Sequence, residues 1–132
     1  MSEENVELVR RAIEALDSRD LTTWLAVHDE DFEIVPIRDW PEPGVRGAKA
    51  GWDFYLGTFD LFEHFPVADV KVTDAGADKV LVQYEYDLRG RESGAEVEFE
   101  YWLVATARQG RILRAQWFAN QDEALEAAGL AD

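Results

Sequence analysis

The 132-residue sequence contains no cysteine, only two histidines and four prolines, and its 13 basic side chains are outnumbered by 28 acidic ones. Without cysteine there is no disulfide framework, no thiol nucleophile and no Cys-ligated metal, a composition that fits a reducing compartment. The histidines, His28 and His64, stand 36 positions apart with no His-x-x-x-His or paired-carboxylate spacing near them. No metal site is therefore expected. A formal net charge of −15 repels phosphate backbones and anionic headgroups, so neither nucleic acid nor a membrane is expected as a partner. No apolar run approaches the roughly 18 residues of a spanning helix, and the start Met1-Ser2-Glu3-Glu4 is acidic where a signal peptide needs positive charge. These absences predict a cytoplasmic protein. Glycine-rich phosphate loops and a Gly-x-Ser-x-Gly elbow are missing too, which leaves no expected nucleotide cofactor and no serine-hydrolase chemistry.

What is present is apolar surface: 47% of the residues are hydrophobic and 12% aromatic, enough for one folded domain over residues 1–132. Val6, Val9, Ile13 and Leu16 recur at helical spacing behind Ser2, and Leu21, Trp24, Leu25 and His28 form a second, short stripe behind Asp20. Phe32 to Ile37 is rich in strand formers and runs into a loop carrying Pro41, Pro43, Gly44 and Gly47. Trp52, Leu56 and Phe59 then predict a third helix that reaches Phe62 or Glu63 and places His64 at its end. From Val67 the period changes to two. Four strands are predicted at about 68–73, 79–89, 95–108 and 111–119, joined by turn residues such as Gln109-Gly110 into a long antiparallel meander. Asn120 and Gly129 bracket a last helix over 122–128.

Helices with a single apolar stripe must cover one face of the sheet. The expected fold is α+β, with N-terminal helices packed on a strongly curved sheet to leave a cone with a central pocket. Alternation directs Val80, Val82, Tyr84 and Tyr86 inward, followed by Phe99, Tyr101, Leu103 and Ala105, and then Leu113, Ala115, Trp117 and Ala119. A bulge anywhere in these strands would exchange the two faces beyond it. The opposite face carries Trp102, Arg114, Gln116 and Phe118 among charges of both signs, a surface suited to a homodimer.

The pocket then has Trp24, Phe32, Trp52, Phe59, Tyr86, Phe99 and Trp117 as ligand-binding walls. Tyr84 and Tyr101 are the candidate hydrogen-bond donors to a carbonyl or enolate. Asp39, in the loop after the first strand, and His64 are the candidates to move a proton, and His28 is open between a pocket base and a structural role. The expected partner is an apolar small molecule.

Several segments carry a family resemblance: Glu4-Asn5-Val6-Glu7-Leu8-Val9-Arg10-Arg11, Asp17-Ser18-Arg19-Asp20-Leu21, Val45-Arg46-Gly47, Gly110-Arg111-Ile112, and Glu123 through Leu130. Together they resemble the SnoaL-like branch of the nuclear transport factor 2 (NTF2) superfamily. The resemblance implies an α+β cone with a curved mixed sheet, an apolar pocket and a dimer. It also implies a range of activities, since polyketide cyclases, ketosteroid isomerases, epoxide hydrolases and non-catalytic binders share this scaffold. Where a ketosteroid isomerase would carry a tyrosine and an aspartate, this chain has Ala12 and Pro36. The isomerase's second acidic donor falls near Trp102, and the histidine of many SnoaL-like relatives falls at Leu103. The expected function is cofactor-free isomerisation or cyclisation by proton transfer on an apolar cyclic substrate. The alternatives are a non-catalytic binder, or a dimerisation module whose cone is filled by its own side chains.

Overall fold

The computed structural model describes residues 2–41, 43–59, 62–64, 67–90 and 96–130, and within these the side chains at 2, 58–59, 62–64, 67–69, 86–90 and 96–99 lie outside the description. Two helices, α1 (Ser2–Ser18) and α2 (Leu21–Val27), precede strand β1 (His28–Val35), the short β2 (Val45–Arg46) and helix α3 (Ala48–Phe59). Strands β3 (Phe62–His64), β4 (Val67–Gly76), β5 (Lys79–Gly90), β6 (Glu96–Arg108) and β7 (Arg111–Phe118) follow, and α4 (Gln121–Ala128) ends the described chain.

The helix boundaries have local causes. Arg19 turns to φ 60° to end α1, and Asp20 starts α2 at once, its carboxylate accepting from Thr23 N at 3.1 Å and Thr23 Oγ1 at 2.6 Å. Asn120 caps α4 by accepting from Glu123 N, and Gly129 closes it in the left-handed conformation. The buried stripe of α1 centres on Leu8, Val9, Ala12 and Ala15, with the expected Val6, Ile13 and Leu16 at its flanks.

The sheet runs β2-β1-β7-β6-β5-β3, with β4 also paired to β5. The expected antiparallel meander is present as β4 to β7, and further strands extend the sheet beyond it. Strand β1 joins the last strand β7 in parallel, and two unforeseen short strands, β2 and β3, extend the edges. Helix α3 stops at Phe59, so His64 lies in β3 with its backbone paired to Arg89, not at a helix terminus.

The expected alternation holds along β5 and β6, where Val80, Val82 and Tyr84 face Ala105, Leu103 and Tyr101 across the ladder. Along β7 it breaks at one point. The register passes from Thr106↔Arg114 to Ala107↔Ile112, leaving Leu113 as an extra residue. Ile112 is thereby buried inward where Leu113 was expected, because a single inserted residue exchanges the faces beyond it. Ala119 is exposed rather than inward.

Helix α4 packs on β5, β6 and β7 from the outer side. Its Ala124 and Ala128 are buried, and so is Val104, which points away from the inner neighbours Leu103 and Ala105. Lys79 Nζ donates to Ala127 O at 3.0 Å and ties the helix end to the sheet. Part of the outer face is thus taken up within the chain, and Trp102, Arg114, Gln116 and Phe118 are half-buried.

Candidate functional site

Between the helices and the inner face of the sheet lies a cavity of about 420 Å³, so the cone is not filled by its own side chains. Helix α1 supplies an aliphatic wall through Val9, Ala12, Ile13 and Leu16, and Leu103, Ala105, Ile112 and Ala115 form the floor. Ala12 and Pro36 both line the cavity. They are the positions matched to the isomerase tyrosine and aspartate, and they bring it no polar side-chain atom.

The rest of the wall is aromatic and organised by two tryptophans. Trp24 reaches across from α2 to α3, its indole N–H donating to Ala48 O at 2.7 Å. Around it stand His28 (3.8 Å between ring centroids), Tyr55 (5.7 Å), Trp52 (5.8 Å) and Phe32 (6.1 Å). Trp52 is buried behind Trp24 and supports it without lining the cavity. On the sheet side Trp117 lies over Tyr84 at 5.1 Å and edge-on to Tyr101 at 6.5 Å, and its N–H donates to Tyr55 Oη at 2.9 Å. Tyr84 and Tyr101 are cross-strand partners, which sets two phenols side by side. Burial pushes the hydroxyls of Tyr55, Tyr84 and Tyr101 upward, and for Tyr84 the nearby Tyr55 adds to it. All three stay protonated at neutral pH and can donate.

The one buried titratable base of the described cavity is His28. Its position follows from an irregularity in β1, where His28 pairs with Ile112 and the next matched pair is Glu33 with Arg114. Asp29, Glu30 and Asp31 absorb the excess: Asp31 N donates to Asp29 Oδ1, and Arg108 holds Asp29 at 3.1 Å and Asp31 at 3.7 Å. With that segment pinned outside, His28 and Phe32 turn inward, their rings 4.4 Å apart.

His28 is 3% exposed. Burial lowers its pKa to about 4, against a smaller upward effect of the Trp24 carbonyl. The ring is therefore neutral at pH 7. Its Nδ1 lies 2.7 Å from Trp24 O, and because a carbonyl can only accept, Nδ1 carries the proton. Nε2 then holds the lone pair. It makes no hydrogen bond with a described residue, and His28 lines the cavity.

The structure brings Trp24, Phe32, Tyr84, Tyr101 and Trp117 of the expected set to one cavity. Asp39 is exposed in a turn at φ 68°. Its neighbours Ile37 and Trp40 line the cavity and Asp39 does not. The side chains of His64, Phe59, Tyr86 and Phe99 lie outside the described residues. Two contributors went unselected. Tyr55 sits one turn after Trp52 on α3, a spacing that could have been followed, whereas His28, on the stripe of Trp24 but open between a base and a structural role, is turned inward by a strand irregularity. Among the described residues no group of His, Asp and Glu side chains converges to hold a metal ion.

The sequence model for the SnoaL-like domain matches residues 9–115. An NTF2-like protein from Burkholderia xenovorans superposes with a TM-score of 0.79 at 22% identity, with 97% of each chain covered. A candidate polyketide cyclase from Xanthomonas campestris pv. campestris gives 0.71 at 20% identity over 96% of this chain and 98% of that one. A candidate isomerase from Bacillus subtilis gives 0.69 at 22% identity over 98% and 95%. At these identities the likeness establishes the fold alone. No curated protein sequence matches the chain significantly.

Proposed function

The chain belongs to the SnoaL-like domain family, and from that premise we propose that its cavity binds an apolar cyclic ketone and moves a proton on it without a cofactor. The observation that carries this reading is that His28 lines the cavity with Nδ1 committed to a backbone carbonyl, which leaves Nε2 as the acceptor of the neutral ring. In the proposed step Nε2 takes a proton from the carbon next to the ketone. The electron pair moves onto the carbonyl oxygen, and the phenol O–H groups of Tyr84 and Tyr101 donate to the charge that develops there. In a β,γ-unsaturated ketone, return of the proton to the γ-carbon of the dienolate completes an isomerisation; in a diketone, attack by the enolate carbon on the second carbonyl, with the proton passing from Nε2 to the alkoxide formed, completes a cyclisation. A base with pKa about 4 is weak, but one near that strength suffices where strong hydrogen bonds activate the carbon acid. The base role expected of Asp39 or His64 passes in this reading to His28.

Two of the structural neighbours, a candidate cyclase and a candidate isomerase, are consistent with this class. The low basicity of His28 also favours a second reading, binding without chemistry. 2-Tetralone in D₂O separates the two, with exchange of its α-protons followed by NMR. Under the proposal the protein accelerates exchange above the buffer rate, and His28→Asn abolishes the acceleration while leaving the ketone bound. Binding without acceleration in the unaltered protein would leave only the binder.

We also read the exposed parts of Trp102, Arg114, Gln116 and Phe118 as a homodimer surface beside α4. No helix among the described residues is long and apolar enough to cross a membrane, and with the absence of cysteine this supports a cytoplasmic setting.

A further inference from the structure

The proposed reading leaves open what kind of charge the ligand carries, and the lining of the cavity bears on it. Among the described lining residues the single formal charge at pH 7 is a negative one, Asp17, since His28 is neutral and no lysine or arginine lines the space. Asp17 is exposed, so it stands at the mouth rather than in the depth. It lies in the last turn of the 17-residue α1, a turn without a basic residue, where the aligned peptide dipoles already present their negative end.

A carboxylate there is placed against the field of its own helix. Among the described residues it has no hydrogen bond or ion pair that offsets this. Arg19, two residues on, turns its Nη1 to Leu16 O at 2.9 Å. Behind the mouth the aromatic faces of Trp117, Tyr84 and Tyr101 attract positive charge and repel negative. The net charge of −15 acts in the same direction at long range.

We propose that the ligand of this cavity is cationic, an apolar cyclic body carrying a protonated amine, with the ammonium group seated at the mouth beside Asp17 and the rings among the aromatic side chains. This rests on the reading of the cavity as a small-molecule site and adds the ligand's charge to it. An anionic ligand would meet no positive side chain among the described lining residues, and it would leave its solvation for an aromatic wall.

Three probes that share one naphthalene ring test it: 1-naphthylmethylammonium, 1-naphthylmethanol and 1-naphthoate, titrated by tryptophan fluorescence and calorimetry at 20 mM and 200 mM salt. The ammonium is expected to bind about tenfold or more tighter than the carboxylate, with the alcohol between, and the added salt should narrow the spread. Asp17→Asn is expected to weaken the ammonium about three- to fivefold and leave the alcohol unchanged, since an exposed charge is screened by solvent. Asp17→Lys should reverse the order of ammonium and carboxylate. The proposal is overturned if the carboxylate binds as tightly as the ammonium, or if Asp17→Asn moves all three probes alike. If the alcohol binds but no charge preference appears, the cavity reading survives and the cationic ligand does not. Failure of all three to bind would remove both.

Discussion

Holding an imidazole neutral inside an aromatic wall has a cost that pH can reveal, and the structure sets its size. His28 has a folded pKa of about 4 against an unfolded value of 6.5. Between these two values the unfolded chain binds the proton and the folded chain does not, so stability falls as the pH is lowered through this window and is complete above it. That difference corresponds to about 3 kcal/mol in full, most of which is lost between pH 7.5 and pH 4.5.

The variant that isolates this contribution is His28→Asn, whose side-chain amide can still donate to the Trp24 carbonyl but cannot titrate. At pH 7.5 it should be less stable than the unaltered protein by about 1–3 kcal/mol, through loss of the ring packed on Trp24 and Phe32. Urea unfolding followed by tryptophan fluorescence at pH steps from 7.5 to 4.5 should then show this gap closing, or reversing where it starts small, by about 2–3 kcal/mol. A gap that stays constant over the series would refute the argument, as would an NMR titration placing the His28 ring near 6.5.

Two further outcomes test the architecture around the cavity. A methyl group added at Gly51 on α3 would sit 2.8 Å from Phe32 Cε2, so Gly51→Ala should cost about 1–3 kcal/mol by denaturant unfolding, as overpacking at an α3–β1 contact does; an unchanged midpoint would contradict the tight approach. The proposed homodimer should sediment as two chains and become monomeric in Trp102→Glu, which sets a charge on the outer face, whereas a monomeric unaltered protein would assign that face to solvent and α4.

The period-two pattern from Lys79 to Arg108 was legible because both flanking strands bury one face against the same helices, and every second residue obeys one constraint. Val80, Val82, Tyr84, Tyr101 and Leu103 could therefore be directed inward from the chain alone. Asp20 and Asn120 were legible as caps for a similar reason, since each acts on the residue three positions ahead. Trp24, Phe32 and Trp117 come to one cavity because each sits on an apolar stripe that can be buried in only one direction.

The features that decide the chemistry have no such local rule. The parallel pairing of β1 with β7 joins residues some eighty positions apart, as in His28↔Ile112, and no turn signal announces it. The extra Leu113 reverses the facing of Ile112 within one strand. The segment 29–31, held outside by Arg108, turns His28 into the cavity. Alternation and capping follow from the geometry of neighbouring residues, so the chain carries them in its order. Which ring ends up dry, neutral and facing a void depends on which distant strands share hydrogen bonds, and that is settled only when the sheet closes over the helices.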